Sequence, residues 1–268
     1  MTAEMQSLLD AYDDALHSFH QLASTVRDDQ WRLPTACPGW TVREQVAHVL
    51  ALELQLGGEP LPPRLDTYPP HVRNPSGEHM ENGIAALRDV EPADLVARLG
   101  VAVDEHLAQL RATDLEPETV VVGTLGSPVP LARFLPIRVL DVWTHGEDVR
   151  RAVGVEPSTT GLATQVARDQ TMAFLPFFAT ERAQVPAGSS YAIDAPGPLG
   201  GQLTVVVGED GPEPSDGVRE DATVTLRMSD ATLMLLACGR LRPADADVEV
   251  VGDQDLGGRL LGALAIAP

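Results

Sequence analysis

The feature that most constrains this chain is a change of hydrophobic period at about residue 185. Upstream, apolar residues recur every three or four positions; Leu8, Leu9, Tyr12, Leu16, Phe19 and Leu22 form one such stripe, the spacing of an amphipathic helix. Downstream, the apolar residues gather into short β-branched runs at Tyr191–Asp194, Leu203–Val207, Val224–Arg227 and Val248–Val251, separated by Gly, Pro and Asp. Helical spacing returns there only over Asp230–Cys238 and Asp253–Leu264. A helix-only half followed by strands with interleaved helices predicts an α+β chain of two domains. Its 268 residues suffice for two domains of ordinary size, and 44% hydrophobic residues suffice for a core in each. Aromatics make up only 4%, so those cores must be mostly Leu, Val and Ala.

Punctuation sets the helices of the first half. One runs over residues 3–27. Two prolines and a glycine mark Leu33-Pro34-Thr35-Ala36-Cys37-Pro38-Gly39-Trp40 as a loop. Thr41-Val42-Arg43-Glu44 then reads as a capping box opening a helix to about Leu56, with His48 inside it. Residues 57–77 are rich in Pro and Gly and predict an irregular connection. A third helical region covers 81–112, broken near Glu91-Pro92; residues 119–123 read as extended. A further helix covers Leu131–Val153, closed by Gly154 and Pro157. The expected division is a helical bundle over 1–158, a connecting helix over 159–186 and an α/β domain over 187–268.

The net charge of −20, from 39 acidic and 19 basic residues, repels phosphate backbones and anionic lipid heads, so neither nucleic acid nor a membrane is an expected partner. Every one of those basic residues is arginine, which excludes Schiff-base chemistry through lysine. Two cysteines, Cys37 and Cys238, are too few for a disulfide framework and fit a reducing cytosol. Met1–Asp14 has no basic n-region, and no apolar run approaches the ~20 residues that cross a bilayer. A cytoplasmic protein acting on small molecules is the expectation; the sequence is silent on its oligomeric state.

Three residues stand out for chemistry. Asp141 and His145 are four apart and project from one helix face; His48 lies on another helix. One imidazole facing a carboxylate and a second imidazole is a standard way to hold a divalent metal in a bundle. Three protein ligands would leave a fourth position open, as in catalytic zinc sites. On spacing alone the signal is weak: such Asp-xxx-His pairs usually sit on solvated faces, and a lone helical His is usually a polar core or surface residue. Arg240 could grip a carboxylate or serve a structural ion pair. Cys37, in a Pro-Gly loop without an evident base, reads as structural. Trp40 and Trp143 read as packing, Glu147 and Asp148 as a solvated face, and His71, His79 and His106 have no spacing partner.

The segment from Trp31 through Pro34-Thr35-Ala36-Cys37-Pro38-Gly39-Trp40-Thr41-Val42-Arg43-Glu44-Gln45-Val46-Ala47-His48 resembles the N-terminal signature of the mycothiol-dependent maleylpyruvate isomerase family. Arg138–Arg150 resembles that family's second metal motif, and Leu235–Asp253, with Gly239-Arg240 and Val251-Gly252-Asp253, its C-terminal domain. The resemblance implies a DinB-like antiparallel four-helix bundle followed by a small sterol-carrier-like α/β domain. It implies His48, Asp141 and His145 as ligands of a divalent metal, zinc foremost, although members carry Glu where this chain has the shorter Asp141. It further implies mycothiol, a thiol of actinobacteria, as cosubstrate; the arginine-only, Ala-rich composition fits a high-GC genome of that kind. Coordination would deprotonate the thiol. Addition of the thiolate to an electrophilic carbon, then rotation and elimination, gives cis–trans isomerisation; a retained adduct gives S-transfer. Arg240 is the expected catalytic residue holding a substrate carboxylate. Two other classes stay open: a small-molecule-binding module with a structural metal, and a metal-dependent hydrolase.

Overall fold

The computed structural model describes residues 2–113, 115–123 and 127–266. The chain divides into two compact units, Met1–Ala163 and Thr164–Pro268.

The first unit is the expected helical bundle. Its long helices are α1 (Ala3–Ser24), α2 (Val42–Leu56), α4 (Pro92–Ala112) and α5 (Leu131–Val153), with the shorter α3 (Pro75–Ala86) packed on α2. The break anticipated in the third helical region falls at residues 87–91, with Pro92 opening α4 in the first turn, where its missing N–H costs nothing. Thr41 caps α2 in a capping box, and Glu44 accepts the Thr41 N–H at 2.9 Å. Gly154 ends α5 in the left-handed conformation, φ 76°. Between α4 and α5, β1 (Val120–Val122) pairs antiparallel with β2 (Pro128–Pro130). The apolar stripe of α1 is buried as its period predicts: Leu9, Tyr12, Leu16, Phe19 and Leu22 all lie in the core.

The second unit opens with α6 (Leu162–Ala183). Read from sequence as a connector over 159–186, this helix buries Leu175, Ala179 and Ala183 in the core of the unit that follows. A five-stranded sheet has the order β5-β4-β3-β6-β7, formed by β3 (Ser190–Ala195), β4 (Gly201–Gly208), β5 (Gly211–Asp216), β6 (Val224–Arg227) and β7 (Glu249–Gly252). Only β3 and β6 run parallel. Tyr191 sits between Val205 and Val224 in the register, and Ile193 between Leu203 and Leu226. These side chains pack on Leu233 and Leu236 of α7 (Asp230–Ala237) and Leu256 and Leu260 of α8 (Gln254–Ala263). Strand β5, Gly211-Pro-Glu-Pro-Ser-Asp, escaped the sequence reading because it holds no apolar run. It is an edge strand, where proline and acid are tolerated because the outer row of backbone groups needs no partner. Among the described residues no helix is long and apolar enough to cross a membrane.

Candidate metal centre

The loop before α2 places one wall of the site. Its ends are tied by Thr35 N–H to Trp40 O at 3.0 Å and Val42 N–H to Leu33 O at 3.1 Å. Gly39 has φ +81°, and a Cβ there would lie 2.2 Å from the His71 ring, so both conformation and space demand glycine. The turn lays the Trp40 ring across two histidines, 4.9 Å from His48 and 5.5 Å from His145 between ring centroids. The indole N–H donates to Glu81 at 2.7 Å, and His71 bonds the same carboxylate oxygen at 2.8 Å.

Under that wall three donor atoms converge. His48 comes from α2; Asp141 and His145 stand one turn apart on α5. One ligand atom from each lies within 4.8 Å of the others. Asp141 bridges them, Oδ2 being 3.4 Å from His48 Nε2 and Oδ1 3.5 Å from His145 Nε2. The imidazoles are sealed, with side chains 3% and 8% exposed, whereas Asp141 is 33% exposed, so access to the triad is from the carboxylate side. His48 Nε2 is buried and has no hydrogen-bond partner. Burial, seconded by His145, pushes the His48 pKa down to about 4. Burial works to raise the Asp141 carboxyl, but the Arg138 guanidinium and the two histidines prevail and hold it well below the usual carboxylate range. Both groups are therefore deprotonated at neutral pH.

A second buried cluster adjoins the first. Glu53, one and a half turns beyond His48 on α2, is fully buried. Its carboxylate accepts from Tyr12 Oη at 2.7 and 2.9 Å, from His106 Nδ1 at 2.8 Å and from Arg138 Nη2 at 2.7 Å. The other arm of Arg138, Nη1, donates to Asp141 Oδ2. Four helices thus meet on one carboxylate, and the arginine fork carries that anchorage to Asp141. Burial opposes the ionised form of Glu53, yet His106, Arg138 and Tyr12 hold its pKa below normal.

The structure brings His48, Asp141 and His145 together, the set that the family resemblance implied. Arg240 belongs to the second unit, just past α7, where its Nη1 donates to the Cys238 carbonyl at 2.8 Å. Asp148, read as part of a solvated face, is 1% exposed and lies 3.4 Å from Gln45 Nε2; Glu147 accepts the Ser158 N–H at 3.1 Å. Glu53, Arg138, Tyr12, His106 and Gln45 were not singled out from sequence. For Glu53 and Arg138 a signal existed. Glu53 keeps the helical phase of the apolar residues Val46, Val49 and Leu50, and Arg138 precedes Asp141 by three. His106 has a partner 53 positions away, which no local spacing can display.

The profile of the Mycothiol maleylpyruvate isomerase N-terminal domain matches residues 12–150, and that of the MDMPI C-terminal domain matches residues 165–259. The chain belongs to the mycothiol maleylpyruvate isomerase family. Among curated relatives, uncharacterized proteins of Mycobacterium tuberculosis strains CDC 1551 / Oshkosh and H37Rv are each 29% identical over 143 residues, 50% of this chain and 52% of theirs. The chain thus spans about half the length of the curated relatives it matches. Its fold is similar to the crystal structure of the mycothiol-dependent maleylpyruvate isomerase, with a TM-score of 0.61 and 18% identity over 93% of this chain and 95% of that one. A histidine-to-alanine mutant of that isomerase gives a TM-score of 0.60 and 17% identity over the same shares. At such identity the likeness is one of fold.

Proposed function

We propose that this protein is a mycothiol-dependent enzyme of the isomerase or S-transferase type, holding a divalent cation, zinc foremost, on His48, Asp141 and His145. The observation that carries the reading is the buried, unpartnered Nε2 of His48 facing the Asp141 carboxylate. A buried polar atom without a partner is rare and costly, and a cation supplies the missing partner. The spacing supports it too. One ligand atom from each residue lies within 4.8 Å of the others, near enough for a small cation to draw them to the about 3.4 Å that separates ligands at about 2.1 Å on tetrahedral zinc. Two nitrogens and one carboxylate suit zinc and its borderline neighbours.

When bound, the cation would lower the pKa of a thiol and so supply a nucleophile at neutral pH. The chain's own residues do the rest. The exposed flank of Asp141 admits the thiol, the Trp40 wall keeps bulk water from the imidazoles, and the low pKa values leave His48 and Asp141 ready without prior proton loss. Membership of the family supports mycothiol as the thiol and a small electrophile, maleylpyruvate-like, as the substrate class. For Arg240 we propose the substrate carboxylate as ligand. The direct test is metal analysis after mild purification. Near-stoichiometric zinc is expected in the wild type and none in the His48→Ala, His145→Ala double variant; equal metal in both would remove the reading.

A further inference from the structure

Gln45 is a glutamine with no exposure at all, and both ends of its amide are used. Its Oε1 lies 2.5 Å from His145 Nδ1. Its Nε2 lies 2.7 Å from Thr35 Oγ1 and 3.4 Å from Asp148 Oδ2. Which way hydrogen points along this chain follows from its far end. The Thr35 hydroxyl has one proton and donates it to the Trp40 carbonyl at 2.9 Å, an acceptor only. Thr35 Oγ1 must therefore accept from Gln45. The Asp148 carboxylate, also an acceptor, asks the same of the amide. Gln45 is thus held with NH2 toward Thr35 and Asp148 and with its carbonyl toward His145. A carbonyl facing Nδ1 requires Nδ1 to carry the hydrogen, which leaves Nε2 of a neutral imidazole as a bare lone pair.

We propose that Gln45 is a positioning residue that fixes His145 as the Nδ1–H tautomer, so that Nε2 is presented as a ligand atom, and that the Thr35-Ala36-Cys37-Pro38-Gly39-Trp40 turn dictates this through Thr35. The consequence at the triad is specific. In the neutral ring the lone pair at His145 Nε2 stands 3.5 Å from Asp141 Oδ1, an arrangement of two acceptors that either a cation or a second proton on the ring reconciles. The wall residue and the ligand are coupled by the same loop: the residue whose ring covers the histidines is the residue whose carbonyl starts the relay. The inference rests on the metal reading for its purpose but not for its geometry, and the two are separable by experiment.

The experiment is long-range proton–nitrogen correlation NMR at pH 7 on histidine-labelled protein without metal, with His145 assigned from a His145→Gln variant, followed by cobalt(II) titration read by visible absorption. The wild type is expected to show His145 protonated at Nδ1 and bare at Nε2. Gln45→Met, similar in volume but without donor or acceptor, should shift His145 toward the Nε2–H form and lower cobalt affinity about ten- to a hundredfold, the usual effect of losing such an orienting partner. Thr35→Val should move both readouts the same way by less, because Asp148 still orients the amide, and it carries the test if the core variant does not fold. An Nε2–H tautomer in the wild type would overturn the proposal. So would a folded Gln45→Met protein with unchanged tautomer and cobalt affinity. Wild-type protein with the Nδ1–H tautomer but no cobalt binding would uphold the relay and overturn the metal reading instead.

Discussion

Two clusters of buried titratable side chains share α2 and α5 and end differently. Around Glu53 both carboxylate oxygens are matched by donors from Tyr12, His106 and Arg138. At the triad, His48 Nε2 has none and Asp141 is open to solvent. Arg138 touches both and keeps a buried Nε without a partner, so what separates them is the carboxylate: Glu53 is sealed and held by three donor residues, while Asp141 is partly exposed and faces an unpartnered imidazole nitrogen. A matched buried charge is tolerable and, once built, is costly to disturb. A buried nitrogen left without a partner, as at His48, is a place that an outside group can complete. On the proposed function, the closed cluster is scaffold and the open one the place of chemistry.

The contrast can be broken most forcefully at Arg138. Arg138→Met leaves Glu53 buried without its cation, and the metal-free protein should lose about 3–5 kcal/mol in urea unfolding. His48→Leu, similar in volume, should cost under about 1.5 kcal/mol by the same measure, yet abolish the rise in melting temperature that zinc gives the wild type. The reverse ranking would mean that the triad is scaffold.

A smaller effect sharpens the same contrast through pH. His48 falls from an ordinary 6.5 to about 4 in the fold. Between those values the unfolded chain binds the proton and the native state does not, so stability falls as pH is lowered through this window. At about 1.4 kcal/mol per unit the full loss is about 3 kcal/mol. The depressed Asp141 adds a further loss only below its ordinary value near 3.8. Urea unfolding of metal-free protein at pH 7, 5.5 and 4.5 measures it. In His48→Leu the slope between pH 6.5 and 4.5 should shrink, and an unchanged slope would assign it to other groups.

Local signals carried much of this architecture into the sequence. The bounds of α5 and of β6, the capping box at Thr41 and the glycine stop at Gly154 are all written within a few residues of where they act. The triad was legible because Asp141 and His145 are one turn apart and His48 lies in a recognisable motif. What stayed hidden was long-range. Strand β5 takes its place from β4, not from any apolar run of its own. Helix α6 reads as amphipathic whichever unit it joins. Glu53, His106 and Tyr12 come from three helices, and nothing near any of them announces the other two. Gln45 looks like a polar residue on a helix until the fold places Thr35 on one side of it and His145 on the other.

On the proposed function, the open cluster activates a thiol. The most direct measurement is calorimetric titration of mycothiol into zinc-loaded protein at pH 7 in two buffers of different ionisation enthalpy. A free thiol with a pKa of about 8.5 is mostly protonated there, and the low pKa values of His48 and Asp141 leave them no protons to contribute. Release of close to one proton per thiol bound is expected, seen as a buffer-dependent heat that disappears in Asp141→Ala. Thiol binding of equal strength to the metal-free protein, with heats independent of buffer, would contradict it.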